Sequence, residues 1–334
     1  MPIARTRYLG IVEEYTYGVL SASPLWNYST YRTERETKMK ISTIPGMPSD
    51  FELVLFGDDQ EGNAAKATDK YQKCIKYICE GEDRYGIKMG DSMDAFWIDD
   101  FRYNDLTVSA RPMEQFKRSV AQLAPLAKTG RLLTLLKGNH EKALEMKLQR
   151  LGWEEAINEK MCEELRKISG TIYPLEGSYT HKLEFVHKDG KPMFKGHFTH
   201  GRKTISSISP DPHRKRANMQ YRLKLILQEM AGDCILMAMG HIHIVLVTPP
   251  LPSVYLTTEK GKLKQNYTHS GSGKSGEYIP PDHRWYGVTG SFLKTFVEGV
   301  ETYSELAQYN PTELGYLRAI VRDRQLVDLV EVKI

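Results

Sequence analysis

Three apolar runs in the first half of the chain each end at a glycine that is followed by polar side chains. The runs are FELVLF before Gly57, YGIKM before Gly90 and RLLTLLK before Gly138. Between them, apolar residues recur at helical spacing over residues 64–78 and 112–128. This β-α-β-α-β order predicts parallel strands joined by helical crossovers, hence an α/β fold. In such sheets ligands bind beyond the carboxyl ends of the strands, where the polar residues stand.

After Gly170 the pattern changes to short strands. Strands are predicted at 180–187, 192–199, 234–239, 243–248, 253–259 and 262–268, and helices at 140–168 and near 217–231. We divide the chain into an N-terminal extension, residues 1–50, and a single domain, residues 51–334. The polar motifs of that domain fall within residues 57–243, and the C-terminal strands of residues 251–334 are expected to complete a second sheet.

The charge balance and the cysteine pattern exclude several classes of protein. Forty-six Lys and Arg oppose 42 Asp and Glu, so the chain is not histone-like, although a local basic patch remains open. Four cysteines show no CxxC pair, which favours buried thiols in a reducing compartment over a disulfide scaffold. No apolar leader and no run of 18 apolar residues is present. We therefore expect a soluble, cytoplasmic protein without a membrane partner, and its oligomeric state stays open.

Five short segments carry acidic, amide or imidazole side chains at expected strand ends. In chain order they are Gly57-Asp58-Asp59-Gln60, Gly90-Asp91-Ser92-Met93-Asp94, Gly138-Asn139-His140-Glu141, His200-Gly201 and Gly240-His241-Ile242-His243. Mixed carboxylate, amide and imidazole ligands suit Mn, Fe, Zn or Ni. A pair of such ions can neutralise a phosphoryl group and generate hydroxide near neutral pH. Each segment alone is moderate evidence, but the ordered set predicts a metal site.

In that order the segments resemble the motifs of the calcineurin-like metallophosphoesterase superfamily: DxH, GDxxD, GNH(E/D), H and GHxH. The resemblance covers about residues 51–250. It implies a four-layer α/β/β/α sandwich of two mixed sheets. It also implies two divalent metal ions in a shared cleft, with Mn favoured over Fe, Zn, Ni or Mg, and hydrolysis of phosphate esters by metal-bound hydroxide.

The resemblance also implies a role for each matching residue. Asp91 would bridge both metals. His140 would protonate the leaving oxygen or hold the phosphate, with Asp94 orienting its imidazole. The remaining ligands would be Asp58, Gln60 and His243 on one metal and Asn139, His200 and His241 on the other.

Gln60 departs from the family pattern, which has histidine at this position. A glutamine carbonyl is a harder and neutral donor, so this metal site is expected to be weaker or more Mn- or Mg-like. An alternative register would use Asp59 and Glu61 as ligands. The register with Asp58 and Gln60 is favoured because Asp58 directly follows the strand and its glycine, and Gly62 stands where the family turn has a glycine.

A second alternative concerns which histidine of GHFTHG is the ligand. His197 and His200 both lie in this stretch, and His200 is favoured because it ends the strand and precedes Gly201. The histidines outside the motifs are expected to be ordinary surface or hydrogen-bonded residues. They are His181, His187, His213, His269 and His283.

Two positions bear on the substrate. Phosphoprotein phosphatases of the superfamily carry arginines just after GDxxD and just before GNHE, and here those places hold Ala95 and Lys137. Lysine does not replace a bidentate arginine clamp, so a protein phosphatase is disfavoured. Phosphodiesters and small phosphomonoesters remain.

A basic segment lies between His200 and His241, and it is a candidate for contact with a nucleic-acid backbone, with a solvated helix face as the alternative. Its candidate substrate-binding residues are Arg202, Arg214, Lys215 and Arg216. The C-terminal stretch from Gly287 looks like bacteriophage-type enzymes grouped with DNA-repair nucleases, which implies a virus-encoded nuclease acting on DNA or RNA. The alternatives are a phosphomonoesterase on nucleotides or small phosphates, and a non-enzymatic interaction module depleted of metal at Gln60.

Overall fold

A computed structural model describes residues 39–96, 111–153, 156–268 and 277–334. Most of the expected N-terminal extension, residues 1–38, therefore lies outside the described residues. The described residues form an α/β structure with fourteen strands and six helices, most of the strands lying in two mixed sheets. No helix among the described residues is long and apolar enough to cross a membrane.

The first sheet contains six strands, four of them parallel. The parallel strands are β2 (Phe51–Phe56), β3 (Arg84–Lys88), β4 (Leu132–Leu135) and β5 (Leu175–Glu176), and the antiparallel strands are β13 (Gly315–Arg322) and β14 (Gln325–Lys333). Their order in the sheet is β14-β13-β2-β3-β4-β5. The predicted strand-helix alternation is thus observed, and the parallel strands present their carboxyl ends at one edge.

Four helices accompany this sheet: α1 (Thr68–Glu80), α2 (Pro112–Lys128), α3 (Asn139–Arg150) and α4 (Ile157–Ser169). The prediction for α2 is confirmed at both ends, with Pro112 in the first turn where its missing N–H costs nothing. The single helix expected over 140–168 is wrong. It is two helices, because the chain turns after Leu151 and Gly152 takes a φ of +82°.

The second sheet also has six strands. They are β1 (Lys40–Met47), β6 (Thr180–His187), β7 (Pro192–Thr199), β8 (Leu236–Met239), β9 (Val245–Thr248) and β12 (Trp285–Thr289). Their order is β1-β6-β7-β8-β12-β9, with β7, β8 and β12 parallel to one another. The hairpin of β6 and β7 has the predicted bounds. Strand β1 lies within the expected extension of residues 1–50, which is therefore not wholly separate from the sheets.

The C-terminal strands differ from the expectation that residues 251–334 complete the second sheet. Only β12 joins that sheet, whereas β13 and β14 belong to the first. Strands β10 (Val254–Glu259) and β11 (Lys262–Tyr267) form a separate two-stranded ribbon. The long-range pairing of β13 with β2 decides this assignment, and no local pattern encodes it.

Helix α5 (Pro212–Leu227) begins five residues before the predicted start near 217. Asp211 caps it by accepting a hydrogen bond of 2.7 Å from the Arg214 N–H, and Pro212 occupies its first turn. The Asp-Pro pair is the start signal that the apolar spacing missed. The last helix, α6 (Tyr303–Leu306), is one turn long.

Three apolar clusters hold the layers together. The first lies between the two sheets, where the ring of Phe51 in β2 lies 6.2 Å from that of Phe185 in β6. The second packs the opposite face of β2, including Val54, against helices α1, α2 and α4. The third packs β8 and β12 against Leu223 and its neighbours in α5. Strand β2 is buried on both faces, which explains its uninterrupted apolar sequence. The four cysteines are free thiols, and three of them are buried.

Candidate metal centre

The candidate metal-binding side chains lie at the carboxyl ends of strands from both sheets. Asp58, Asp91 and Asn139 follow β2, β3 and β4, while His200 and His241 follow β7 and β8. Because strands within each group are parallel, their carboxyl ends lie side by side. The two edges meet, since Asp58 Oδ2 accepts a hydrogen bond of 3.1 Å from the backbone N–H of His241.

Asp91 lies at the middle of this group. Its Oδ2 is 3.2 Å from His200 Nε2 and 3.8 Å from His140 Nε2, and its Oδ1 accepts a hydrogen bond of 3.1 Å from the His140 backbone N–H. One potential ligand atom each of Asp91, His200 and His241 lies within 4.8 Å of the others. This spacing allows the three side chains to bind one cation.

The arrangement around His200 concentrates positive charge between Asn139 and Asp91. His200 Nδ1 lies 2.8 Å from the carbonyl oxygen of Met89, to which it donates. In the protonated ring, Nε2–H donates to Asn139 Oδ1 at 2.8 Å and faces Asp91 Oδ2 at 3.2 Å. A bound cation would replace that proton, since Nε2, Asn139 Oδ1 and Asp91 Oδ2 then become three converging acceptor atoms.

Asp58 and His243 form the other part of the site. His243 Nε2 lies 3.3 Å from Asp58 Oδ1. Both Asp58 Oδ1 and Asp91 Oδ2 are buried and accept no hydrogen bond from the described residues. A buried carboxylate oxygen without a donor costs free energy unless a cation neutralises it. These two oxygens therefore support metal binding independently of the sequence motifs.

The backbone of the site is strained in a consistent way. Ten described non-glycine residues have positive φ angles, and half of them are predicted metal ligands. These ligands are Asp58, Gln60, Asp91, His241 and His243. Each such conformation costs on the order of 1–3 kcal/mol and is retained mainly at functional sites. These positive φ angles turn the backbone tightly, so that the ligand side chains of the loops are directed toward the same region.

The motif glycines leave room for the ligands. A Cβ on Gly138 would overlap Asp91 Oδ1, and a Cβ on Gly90 would lie 2.7 Å from His200 Nδ1. Gly90 also has a φ of +97°, which other residues rarely adopt. The glycines before Asp91 and Asn139 are thus needed for the close approach of the loops.

The imidazoles and carboxylates shift one another's pKa values. Burial opposes the charged form of Asp91, yet the positive charges of His200 and His140 hold the pKa of its carboxyl far below its ordinary value. Burial also opposes charge on His200, but the Asp91 carboxylate prevails and raises the pKa of His200 to about 9. The pKa of His241 is lowered by burial and by the nearby charge of His200. The site therefore attracts positive charge to Asp91, as a metal site does.

His140 contacts Asp94 in a different way from the carboxylate-imidazole pair that the motif suggests. Its Nδ1 lies 2.5 Å from the backbone carbonyl oxygen of Asp94, whereas the Asp94 carboxylate is 3.9 Å away. The Asp94 carboxylate accepts a hydrogen bond of 3.1 Å from Asn63 Nδ2. Asp94 thus orients the ring mainly through its main chain. The ring of Phe96 packs 5.1 Å from that of His140.

Gln60 lies beside His140 and not in the acceptor cluster around His200. Its Nε2 is 3.3 Å from His140 Nε2, and its side chain is buried. Position 60 therefore contacts the candidate proton donor.

The structure places the alternative ligands Asp59 and Glu61 in ion pairs. Lys66 Nζ donates to Asp59 Oδ2 at 2.7 Å and to Glu61 Oε2 at 2.8 Å. Lys88 Nζ lies 2.5 Å from Asp59 Oδ1. All four side chains are buried. Asp59 and Glu61 are thus engaged by lysines, whereas Asp58 lies beside His241 and His243.

His197, the rival of His200, lies outside the site. It is buried on β7 opposite Met237 of β8 and Lys182 of β6, and neither ring nitrogen hydrogen-bonds to a described residue. Burial, followed by the Lys182 charge, lowers the pKa of His197 to about 4.

The predicted substrate-binding residues separate into two groups. Arg202 lines a cavity next to α5. Arg214 and Lys215 lie exposed in the first turn of α5, and Arg216 pairs with Glu331, so these three do not line the cavity. Lys137 stands where the phosphoprotein phosphatases carry an arginine. Its Nζ forms an ion pair with Glu145 at 2.8 Å.

Sequence reasoning assigned no role to Glu141, which fastens two loops of the site together. Its Oε1 accepts hydrogen bonds from the backbone N–H groups of Ser92 at 2.7 Å and Met93 at 3.0 Å. Its Oε2 accepts one from Gly138 N–H at 2.9 Å. The position, three residues after the helix N-cap, is the signal that was available. Lys88 was missed as well, although a lysine in the apolar run YGIKM is unusual.

A scan against protein-family models finds no matching family, and a search of curated proteins finds no matching relative.

Proposed function

We propose that the chain is a metal-dependent phosphoesterase with a four-layer metallophosphoesterase fold. The observation that carries this proposal is the convergence of Asp91, His200 and His241 from two different sheets, with Asp91 Oδ2 buried and lacking a hydrogen bond. The packing of helices against the outer faces of both sheets also supports it.

The residues present would hold two divalent metal ions, with Asp91 as the central carboxylate of the site. The other ligands of the proposed site are Asp58, Gln60 and His243 for one metal and Asn139, His200 and His241 for the other. Bound there, such ions supply neutralisation of the phosphoryl charge and activation of water. Oxygen and imidazole donors in this mixture favour Mn, with Fe, Zn, Ni or Mg as alternatives. Gln60 is the weakest part of the set, because its amide lies against His140.

His140 is placed to handle the proton of the leaving group. The Asp94 carbonyl holds Nδ1, so Nε2 is the nitrogen that faces Asp91 and the substrate side. A proton on Nε2 can pass to the departing oxygen, which is general acid catalysis. Gln60 Nε2 stands 3.3 Å from the same nitrogen and can donate to it only while Nε2 carries no proton.

A phosphodiester is the favoured substrate, and a nuclease acting on DNA or RNA is the favoured activity. A diester carries one negative charge at the scissile phosphate, so it requires less clamping than a monoester dianion. The site has Ala95 and the paired Lys137 where an arginine clamp would stand.

The test is hydrolysis of bis-(p-nitrophenyl) phosphate and of p-nitrophenyl phosphate by the full chain, stripped with EDTA and reloaded with Mn. We expect metal-dependent hydrolysis, faster on the diester. Asp91→Ala should abolish it, and His140→Ala should lower kcat by about 10²–10⁴-fold. Glu259→Gln, on the exposed ribbon, is the matched control and should retain full activity.

Elemental analysis complements the assay by counting two metals per chain in the loaded protein. Absence of hydrolysis on both esters, or full activity of Asp91→Ala, would contradict the proposal. Faster hydrolysis of the monoester would instead identify a phosphomonoesterase.

A further inference from the structure

A basic cavity of about 540 Å³ opens between α5 and the segment that follows β7. Its lining residues are Arg202, Lys203, Thr204, Arg222, Leu225 and Ile226. The three cations come from two separate elements, because Arg202 and Lys203 lie in the segment after β7 and Arg222 lies in α5. The fold therefore brings them together, and they are not merely neighbours in sequence.

These cations have no counterion within the described residues. None of the three forms an ion pair there, whereas two other cations of α5 do. Arg216 pairs with Glu331, and Lys224 pairs with Asp282. Like charges that converge without a partner repel one another. An anion bound in the cavity would remove that repulsion.

The cavity adjoins the candidate metal centre through the chain itself. Arg202 is two residues after His200, so their Cα atoms are at most about 7.6 Å apart. Gly201, with a φ of +80°, turns the chain between them. A polynucleotide carries one phosphate per nucleotide, so a strand whose scissile phosphate lies at His200 can bring a neighbouring phosphate to these cations.

The apolar part of the lining suits a nucleotide better than a simple anion. Leu225 is 46 % exposed although it lies in a helix whose Leu223 is fully buried. Leu225 and Ile226 offer a surface for a sugar or the face of a base. The guanidinium planes of Arg202 and Arg222 can bind a phosphate or stack on a base.

We propose that this basic cavity binds a nucleotide unit of a single-stranded polynucleotide, next to the phosphate that is cleaved. This inference rests on the proposed phosphoesterase function, because the cavity would bind part of that enzyme's substrate. Binding in the cavity itself requires no metal. It assigns Arg202, Lys203 and Arg222 to the substrate, and it leaves Arg214, Lys215 and Arg216 outside the contact.

The experiment measures binding of a fluorescently labelled oligothymidylate to the full chain in EDTA, by anisotropy, over a series of salt concentrations. We expect Arg202→Ala/Arg222→Ala to weaken binding by about tenfold or more at low salt. The slope of log affinity against log salt should become shallower by about 1.4, since each of the two lost phosphate contacts contributes about 0.7 for single strands. Arg214→Ala/Lys215→Ala also removes two positive charges, both of them from α5, and should change binding less than threefold.

Each outcome decides between the possibilities. Equal losses in both double variants would show general attraction to a basic surface and would overturn the proposal. Binding that both double variants leave unchanged would overturn it too. Because the measurement is made without metal, loss of binding confined to Arg202→Ala/Arg222→Ala supports the cavity even if no ester is hydrolysed. Melting temperatures of both variants within about 2 °C of the parent chain would confirm that each has folded.

Discussion

Two buried lysines near the candidate metal centre differ from the cations of the basic cavity in whether they have ion-pair partners. Lys66 and Lys88 are buried and paired with Asp59 and Glu61. Arg202, Lys203 and Arg222 are exposed and lack ion pairs with described residues. A buried charge requires its partner, whereas an exposed one tolerates lacking it. The first group therefore holds the loops, and the second is available to a ligand.

Lys88 shows how the buried group acts on the site. Its Nζ donates to the carbonyl oxygen of Gly90 at 3.1 Å and lies against Asp59 Oδ1. One ammonium group thus joins the loop that carries Asp58 to the loop that carries Asp91. Lys88 does not touch the candidate metal ligands, so it is a positioning residue.

The largest effect is expected from breaking this buried group. Lys88→Met leaves the buried Asp59 carboxylate without one partner, and we expect a loss of about 3–5 kcal/mol in the free energy of unfolding. Lys76→Met is the control, because Lys76 forms an exposed pair with Glu80, and it should change stability by less than about 0.5 kcal/mol. Urea denaturation measures both.

A second substitution separates loss of the partner from loss of packing. Asp59→Asn in the Lys88→Met background removes the carboxylate charge that has lost one of its two lysine partners and should restore part of the stability. If Lys88→Met alone lowers the free energy of unfolding by less than about 1 kcal/mol, the buried, paired lysine stabilises the protein no more than an exposed cation does. The contrast between the two groups of cations would then be wrong.

Acid pH provides the next test, because it forces a positive charge onto a buried group that has no partner. The buried imidazole of His197 has a pKa of about 4, against about 6.5 in the unfolded chain. Between these values the unfolded chain binds more protons than the folded one. Stability therefore falls as the pH drops from about 6.5 to about 4, by about 3 kcal/mol for this group. His181, whose pKa is also about 4 because it is buried, adds to the fall.

His197→Leu should reduce this acid sensitivity, since it removes the group that resists protonation. Denaturation in urea at pH 7 and pH 4.5 measures the difference between the variant and the parent chain. His213→Leu, which replaces an exposed histidine, is the control and should leave the pH dependence unaltered. An unchanged fall in His197→Leu would mean that other groups cause it.

The elements that sequence predicts best are those with local signals. Helix α2 and the hairpin of β6 and β7 match their predicted bounds because periodicity and a terminal proline or turn mark both ends. Strand β1 was missed, because only Ile44 and Met47 of its side chains are buried and the register shifts between them. The membership of β13 and β14 in the first sheet depends on pairing across more than 250 residues of chain.

In the candidate site, too, features with a local sequence signal were predictable and features that depend on long-range contacts were not. Three of the predicted ligands, Asp91, His200 and His241, lie within reach of one another, and each follows a strand. The partners of those side chains were not predictable. Asp59 meets Lys88 only because β2 and β3 are paired in parallel. The contact of His140 with the Asp94 main chain has no side-chain signature in the sequence.

The smallest effect on stability is expected from a cation of the basic cavity. Arg222→Ala removes an exposed cation that forms no ion pair with a described residue, so the free energy of unfolding should change by less than about 0.5 kcal/mol. Relief of repulsion with Arg202 and Lys203 would make the change slightly favourable, and more so at low salt. Denaturation at two salt concentrations measures this. A loss above about 1 kcal/mol would show that Arg222 has a structural partner, and the distinction between paired and available cations would then not extend to α5.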